Sequence, residues 1–189
     1  MFGRKEKLTF QVFMKQHYLP LILRMVDSEI NRIQTQIEKN SPAILISKDQ
    51  IRFELFLMFL RAAEFNLLQT KGYNERFFDC QILIVDEFLN TTFPHIEMNP
   101  KVLTEIGDRL FSDQWYYYRN KWINGFRKYE KFQKERFAPS IISGIFFAHF
   151  CEFGQVNNQL SVSIEVLYKE TYIKFASYIQ NYQIVPDKQ

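Results

Sequence analysis

The residues with the clearest potential for chemistry lie between Trp115 and Arg136, where aromatic and basic side chains alternate. This segment carries seven lysines and arginines and two acids. At about 100° per residue, five of its cations fall on one arc of a helix, opposite an aromatic stripe. They are Lys121, Arg127, Lys128, Lys131 and Lys134. The arc suits an ordinary solvated face or an anionic partner such as phosphates, an acidic protein surface or lipid headgroups. The candidate partner-binding residues are Tyr116, Tyr117, Arg127, Lys128, Lys131 and Lys134.

A second group of polar side chains occurs on a single predicted turn, where His149 and Glu152 flank Cys151. An imidazole and a carboxylate three residues apart can both face one metal ion. A metal site needs three or four ligands, however, and no second cluster in the sequence supplies the others. The pattern therefore favours a buried polar pair in an aromatic core, and we expect no metal and no cofactor.

Linear motifs for catalysis or phosphate binding are absent from the chain. The six glycines are scattered, and none forms a phosphate-binding loop or a nucleophile elbow. Residues 61–65 and 71–73 resemble the first DNA-binding helix of TetR-type repressors. The following segment, 77–89, continues as an apolar helix without the required turn, so the sequence predicts no helix-turn-helix. These observations favour a non-enzymatic function.

Composition indicates which elements must position these residues. Phe occurs 20 times and Tyr 10 times, whereas Gly and Pro occur only 6 times each. Few helix breakers and many large side chains favour long helices around a bulky interior. Charge is uneven: residues 1–26 hold five basic side chains against one acid, and residues 48–97 hold five against eight. Basic and acidic zones of this kind can mark a partner surface or helices that pack with complementary charge.

Hydrophobic periodicity predicts an all-α, single-domain bundle of about six or seven amphipathic helices with an aromatic-rich core. Ser47 and Gln50 form a capping box ahead of a run, 51–68, that is apolar nearly all round and belongs at the centre of the bundle. We predict one helical domain over 1–189, with a short N-terminal helix over 8–18 that breaks or kinks at Pro20, and a polar tail over 183–189. The other predicted helices cover approximately 22–39, 74–89, 100–136, 138–154 and 159–182.

Three functions remain open at this stage. The leading hypothesis is a binding or accessory protein that contacts a protein or nucleic acid through the 115–136 helix. The alternatives are a bundle that encloses a small apolar ligand, and an enzyme of a class without a linear motif. The sequence also leaves room for a homo-oligomer. We see no secretory signal or transmembrane segment, and therefore expect a cytoplasmic location.

Overall fold

The structure is a computed structural model that describes residues 5–69, 84–85, 87–88, 91–93, 146–147 and 156–185. Most of these residues are helical. The elements are strand β1 (Glu6–Thr9), helix α1 (Phe10–Val12), a π-helix (Phe13–Tyr18), helix α2 (Leu19–Asn40), helix α3 (Lys48–Gln69), helix α4 (Asn158–Ile179) and strand β2 (Tyr182–Val185).

Two short strands correct the prediction of an all-α bundle of six or seven helices. Across the described ranges the structure has three helices of 22 residues and a two-stranded parallel sheet, β1–β2. The polar tail predicted over 183–189 therefore begins as a strand, and the last helix ends at Ile179 instead of Tyr182. Each strand has only four residues, too few for an alternating pattern to stand out from a helical one.

The predicted N-terminal helix over 8–18 is also wrong at both ends. Leu8 belongs to β1, and helical structure runs without a break from Phe10 through Pro20 to Asn40. In a regular α-helix the Pro20 ring would collide with the carbonyl four residues earlier. Here the preceding turns are π-helical, and the Leu19 N–H donates to the carbonyl of Met14, five residues back. The wider turn accommodates the proline, so the chain does not break there.

Helix α2 and the start of α3 follow the sequence pattern closely. Five apolar residues recur every three or four positions in this part of the sequence, which predicts one apolar stripe along the helix. All five are buried, and they are Ile22, Val26, Ile30, Ile33 and Ile37. The capping box is also present. The Gln50 N–H donates to Ser47 Oγ at 3.2 Å, and the Ser47 N–H donates to Gln50 Oε1 at 3.0 Å. This reciprocal pair satisfies two N–H groups that the first turn of α3 leaves without partners.

Helix α3 lies at the centre, because every side chain from Phe53 to Leu60 is buried and the helix packs against both α2 and α4. The apolar pattern of the sequence predicts that seven residues share one core: Phe56, Phe59, Leu60, Ala63, Trp122, Phe175 and Ile179. The structure buries six of them in a single cluster. The seventh, Trp122, lies outside the described residues. Ala62 and Ala63 are fully buried, which agrees with a core helix.

One polar contact inside this core joins α3 to α4. Asn66 is buried, and its Nδ2 donates to the carbonyl of Ala62 at 3.0 Å and to that of Tyr172 at 2.9 Å. Both amide hydrogens are used, so the side chain is structural. Within the ranges given above, no helix is long and apolar enough to cross a membrane.

Replacing Phe59 with Ala tests the central place of α3. Because the ring is fully buried, the free energy of unfolding should fall by about 3–5 kcal/mol. Chemical denaturation monitored by circular dichroism measures the change. Leu45→Ala is the control, since Leu45 is 88% exposed and its loss should have little effect. A loss below about 1 kcal/mol for Phe59→Ala would mean that α3 is not central.

Candidate functional site

The partner-binding residues predicted from the sequence all lie outside the described residues. This holds for Tyr116, Tyr117, Arg127, Lys128, Lys131 and Lys134, and equally for the polar turn at 149–152. They remain predictions. Among the residues that the structure does describe, no group of three His, Cys, Asp or Glu side chains could hold a metal ion.

The basic N-terminal zone, by contrast, is described almost completely. Its cations Lys5, Lys7, Lys15 and Arg24 are all exposed. Lys5 immediately precedes β1 and Lys7 lies in it, Lys15 lies in the π-helix, and Arg24 lies near the start of α2. The positive charge that the sequence places in residues 1–26 is therefore a surface property of the folded chain.

A cleft of about 270 Å³ opens beside the π-helix. At its rim, Lys15 Nζ lies 2.7 Å from Glu87 Oε2, and both side chains are largely exposed. This ion pair joins the basic N-terminal zone to the acidic 48–97 zone. At this point the two zones pack with complementary charge, one of the two interpretations that the sequence left open. An exposed pair of this kind contributes little to stability, typically under about 1 kcal/mol.

The cleft has an apolar floor and a polar rim. Leu19, Ile84 and Phe88 supply the floor, and two threonines join the ion pair at the rim. The hydroxyl of Thr91 donates to the carbonyl of Glu87 at 2.9 Å, which anchors that side of the opening. An apolar centre surrounded by charged and hydroxyl groups is the typical layout of a protein-binding patch.

The π-helix positions side chains on two sides of the molecule. Lys15 lies over the cleft, whereas His17 contacts the C-terminal strand. The Tyr182 ring lies against the rings of His17 and Phe13, with centroids 5.2 Å and 5.4 Å away. Irregular turns of this type are frequent at functional sites, because they rotate side chains away from their α-helical directions.

Three polar groups form a short chain where β2 meets the π-helix. Tyr182 Oη lies 3.3 Å from His17 Nδ1 and 3.1 Å from Tyr178 Oη. Each hydroxyl carries one hydrogen, so the His17 tautomer sets the direction of both bonds. Burial raises the pKa of Tyr178 above its ordinary value of 10.0, and the hydrogen bond to Tyr182 raises it further. The nearby charge of Arg24 opposes this shift, and that of Glu6 adds to it.

These hydrogen bonds connect the N-terminal π-helix to β2 and to the end of α4. Among the described residues, His17 belongs to no group of three His, Cys, Asp or Glu side chains that could hold a metal ion. None of the three residues of the polar chain lines the cleft. Sequence reasoning missed this polar chain because residues 17 and 182 are brought together only by the parallel pairing of β1 with β2. The cleft was missed for a similar reason, since Lys15 and Glu87 are distant in sequence. The opposite charges of their zones were the one available signal.

Comparison with known proteins found no match: no family model matches the chain, and no curated protein or solved structure matches it significantly.

The Tyr178 environment predicts a loss of stability at high pH. Below about pH 10 the hydroxyl is neutral in both the folded and the unfolded chain. Above that pH the unfolded chain loses its proton first, because burial holds the folded pKa higher. The contribution of Tyr178 to the free energy of unfolding should therefore decrease as pH rises from 10 toward the pKa of Tyr178 in the folded chain. Denaturation of the wild type and of Tyr178→Phe at several pH values measures the difference.

The Tyr182→Phe variant serves as the matched control. It removes the hydrogen bond to Tyr178 and keeps the ring, so its pH dependence should fall between those of the wild type and Tyr178→Phe. Identical pH dependence in all three proteins would show that Tyr178 is not protected from ionisation.

Proposed function

We propose that this chain is a non-enzymatic binding protein whose partner is another protein. The cleft between the π-helix and residues 84–92 carries the proposal. It combines an apolar floor with a rim of both charges, and it is open to the surface. A groove of this form accepts an apolar side chain from a partner while its polar rim excludes water from the contact.

The size of the cleft favours a side chain over an enclosed small molecule. Its volume is about 270 Å³, just below the range of roughly 300–1,000 Å³ that is common for small-molecule pockets. The space suits one large apolar side chain. The alternative of a bundle that encloses a free apolar ligand therefore receives less support from this cavity.

The charges at the rim favour protein over nucleic acid. Lys15 is already paired with Glu87, and the carboxylate at 2.7 Å would repel an approaching phosphate. A protein surface can offer both signs of charge and replace both halves of the pair. Lys15 and Glu87 then become contacts that set the orientation of the partner.

The basic arc predicted over 115–136 belongs to the same proposal as a second contact region. Its support is the sequence pattern of cations opposite an aromatic stripe. The cytoplasmic location expected from the sequence is likewise part of the proposal. A partner that required only this arc, with affinity falling steeply as salt rises, would point to nucleic acid instead.

A bulky substitution at the rim tests the cleft. The partner is first recovered from the native host with the tagged full-length chain, and its affinity is then measured with purified proteins. Thr91→Trp should weaken binding by at least about tenfold, because the exposed residue 91 lines the opening. Thr35→Trp is the matched control, since Thr35 is also exposed and its hydroxyl bonds the carbonyl four residues back at the same 2.9 Å. Equal affinity of both variants and the wild type would remove the cleft from the binding surface.

The predicted arc is tested by reversing two of its charges. Lys128→Glu combined with Lys131→Glu should weaken binding and leave the fold intact, because exposed charges contribute little to stability. The control is Lys39→Glu combined with Lys48→Glu, an equal charge change at two exposed residues elsewhere. Unchanged affinity in the arc variant would show that this segment is only a solvated face.

A further inference from the structure

The β1–β2 sheet is unusual because it is parallel, has only two described strands and exposes part of one face to solvent. Parallel strands normally occur in larger sheets that are covered on both faces. Two strands alone are marginally stable, and a third strand improves pairing. Here Leu8, Tyr182 and Ile184 pack against the core, whereas Lys7 and Gln183, on the opposite face, are exposed. Further along that opposite face Thr9 and Val185 are half-buried, so the open part of the face is the Lys7–Gln183 pair.

The register shows which backbone groups point outward. Glu6 lies opposite Tyr182, and the Glu6 N–H donates to the carbonyl of Asn181 at 3.2 Å. In a parallel pair, every second residue of a strand directs both its N–H and its C=O toward the neighbouring strand. In β1 these residues are Glu6 and Leu8. The N–H and C=O of Lys7 must then point away from β2, along the outer edge of β1. None of the described strands pairs with that edge.

The outer edge of β1 is the more accessible of the two edges. At the start of β1, Glu6 and Lys7 are exposed, as is Lys5 just before them, whereas Leu8 and Thr9 are half-buried. In β2 only Gln183 is exposed. Lysines on an edge strand oppose pairing with a second copy of the same strand, because like charges would lie close together. The same lysines attract an acidic strand. Glu6 lies on the other face of the strand from Lys5 and Lys7, because successive side chains alternate. The face that carries the two lysines therefore favours a partner of opposite charge.

We propose that an extended acidic segment of a partner protein adds to the outer edge of β1 as a third strand. The Lys7 N–H and C=O bond its backbone, and the ammonium groups of Lys5 and Lys7 contact its carboxylates. Strand addition of this kind takes its affinity from main-chain hydrogen bonds and its specificity from side chains. The inference rests on the proposed protein-binding function, and it names the chemistry of one part of the partner.

A peptide titration followed by NMR of the full-length chain tests this inference. The probe is a soluble hexapeptide of alternating glutamate and valine. It should bind saturably and shift the resonances of β1, whereas a peptide with lysine in place of glutamate should not bind. A glutamate–valine peptide with alternate backbone nitrogens methylated should lose about tenfold or more in affinity, because it cannot form the ladder.

Two variants separate backbone pairing from charge. Lys7→Pro removes the outward N–H, and proline is tolerated on an edge strand, so the fold should survive while binding falls at least tenfold. Lys7→Gln keeps the N–H and removes only the charge, so it should lose less affinity for the peptide than Lys7→Pro. Equal affinity of the unmethylated and methylated glutamate–valine peptides would overturn the inference. Resonance shifts confined to residues outside β1 would also overturn it. If the peptide fails while the recovered partner still depends on the cleft, the strand addition is wrong and the proposed function stands.

Discussion

The rest of the fold is arranged around the burial of α3. Every side chain from Phe53 to Leu60 is buried, so over these two turns the helix turns no face toward water. It can be stable in solution only if other elements surround it. The stripe of α2 covers one side, and α4 covers another. The capping box then sets where this central helix begins.

The π-helix is a local consequence of the same packing. Phe13, Met14 and Tyr18 are fully buried, so the chain before Pro20 must remain against the core. An ordinary α-helix could not continue through the proline without losing that contact. The wider turn preserves the buried side chains, and it also turns Lys15 toward the cleft and His17 toward the C-terminal strand. Two surface features of the N-terminal zone therefore arise from a single adjustment of the backbone.

The sequence predicted the parts of the fold that depend on local pattern. The buried stripe of α2 and the capping box at Ser47 follow from spacing along one helix. Phe59 and Phe175 belong to the predicted core because each lies on the apolar face of its own helix. The strand pair could not be predicted in this way, because Glu6 and Tyr182 meet only after the helices have packed. The strands are also too short to show their own period. The cleft depends on the long-range pair Lys15–Glu87, for which charge zoning was the only signal. The 115–136 arc remains a prediction from helical periodicity.

Native-state hydrogen exchange, resolved by residue, directly tests the central burial of α3 and the unpaired outer edge of β1. Backbone amides in the middle of α3 should exchange only through global unfolding, because the burial of every side chain from Phe53 to Leu60 leaves no smaller opening that exposes them. The Leu8 amide, which faces β2, should be protected, and the Lys7 amide, which faces outward, should exchange rapidly. The opposite result would be α3 amides that exchange faster than those of α2 and α4, together with equal protection of Lys7 and Leu8. That pattern would contradict both the central helix and the open edge of the sheet.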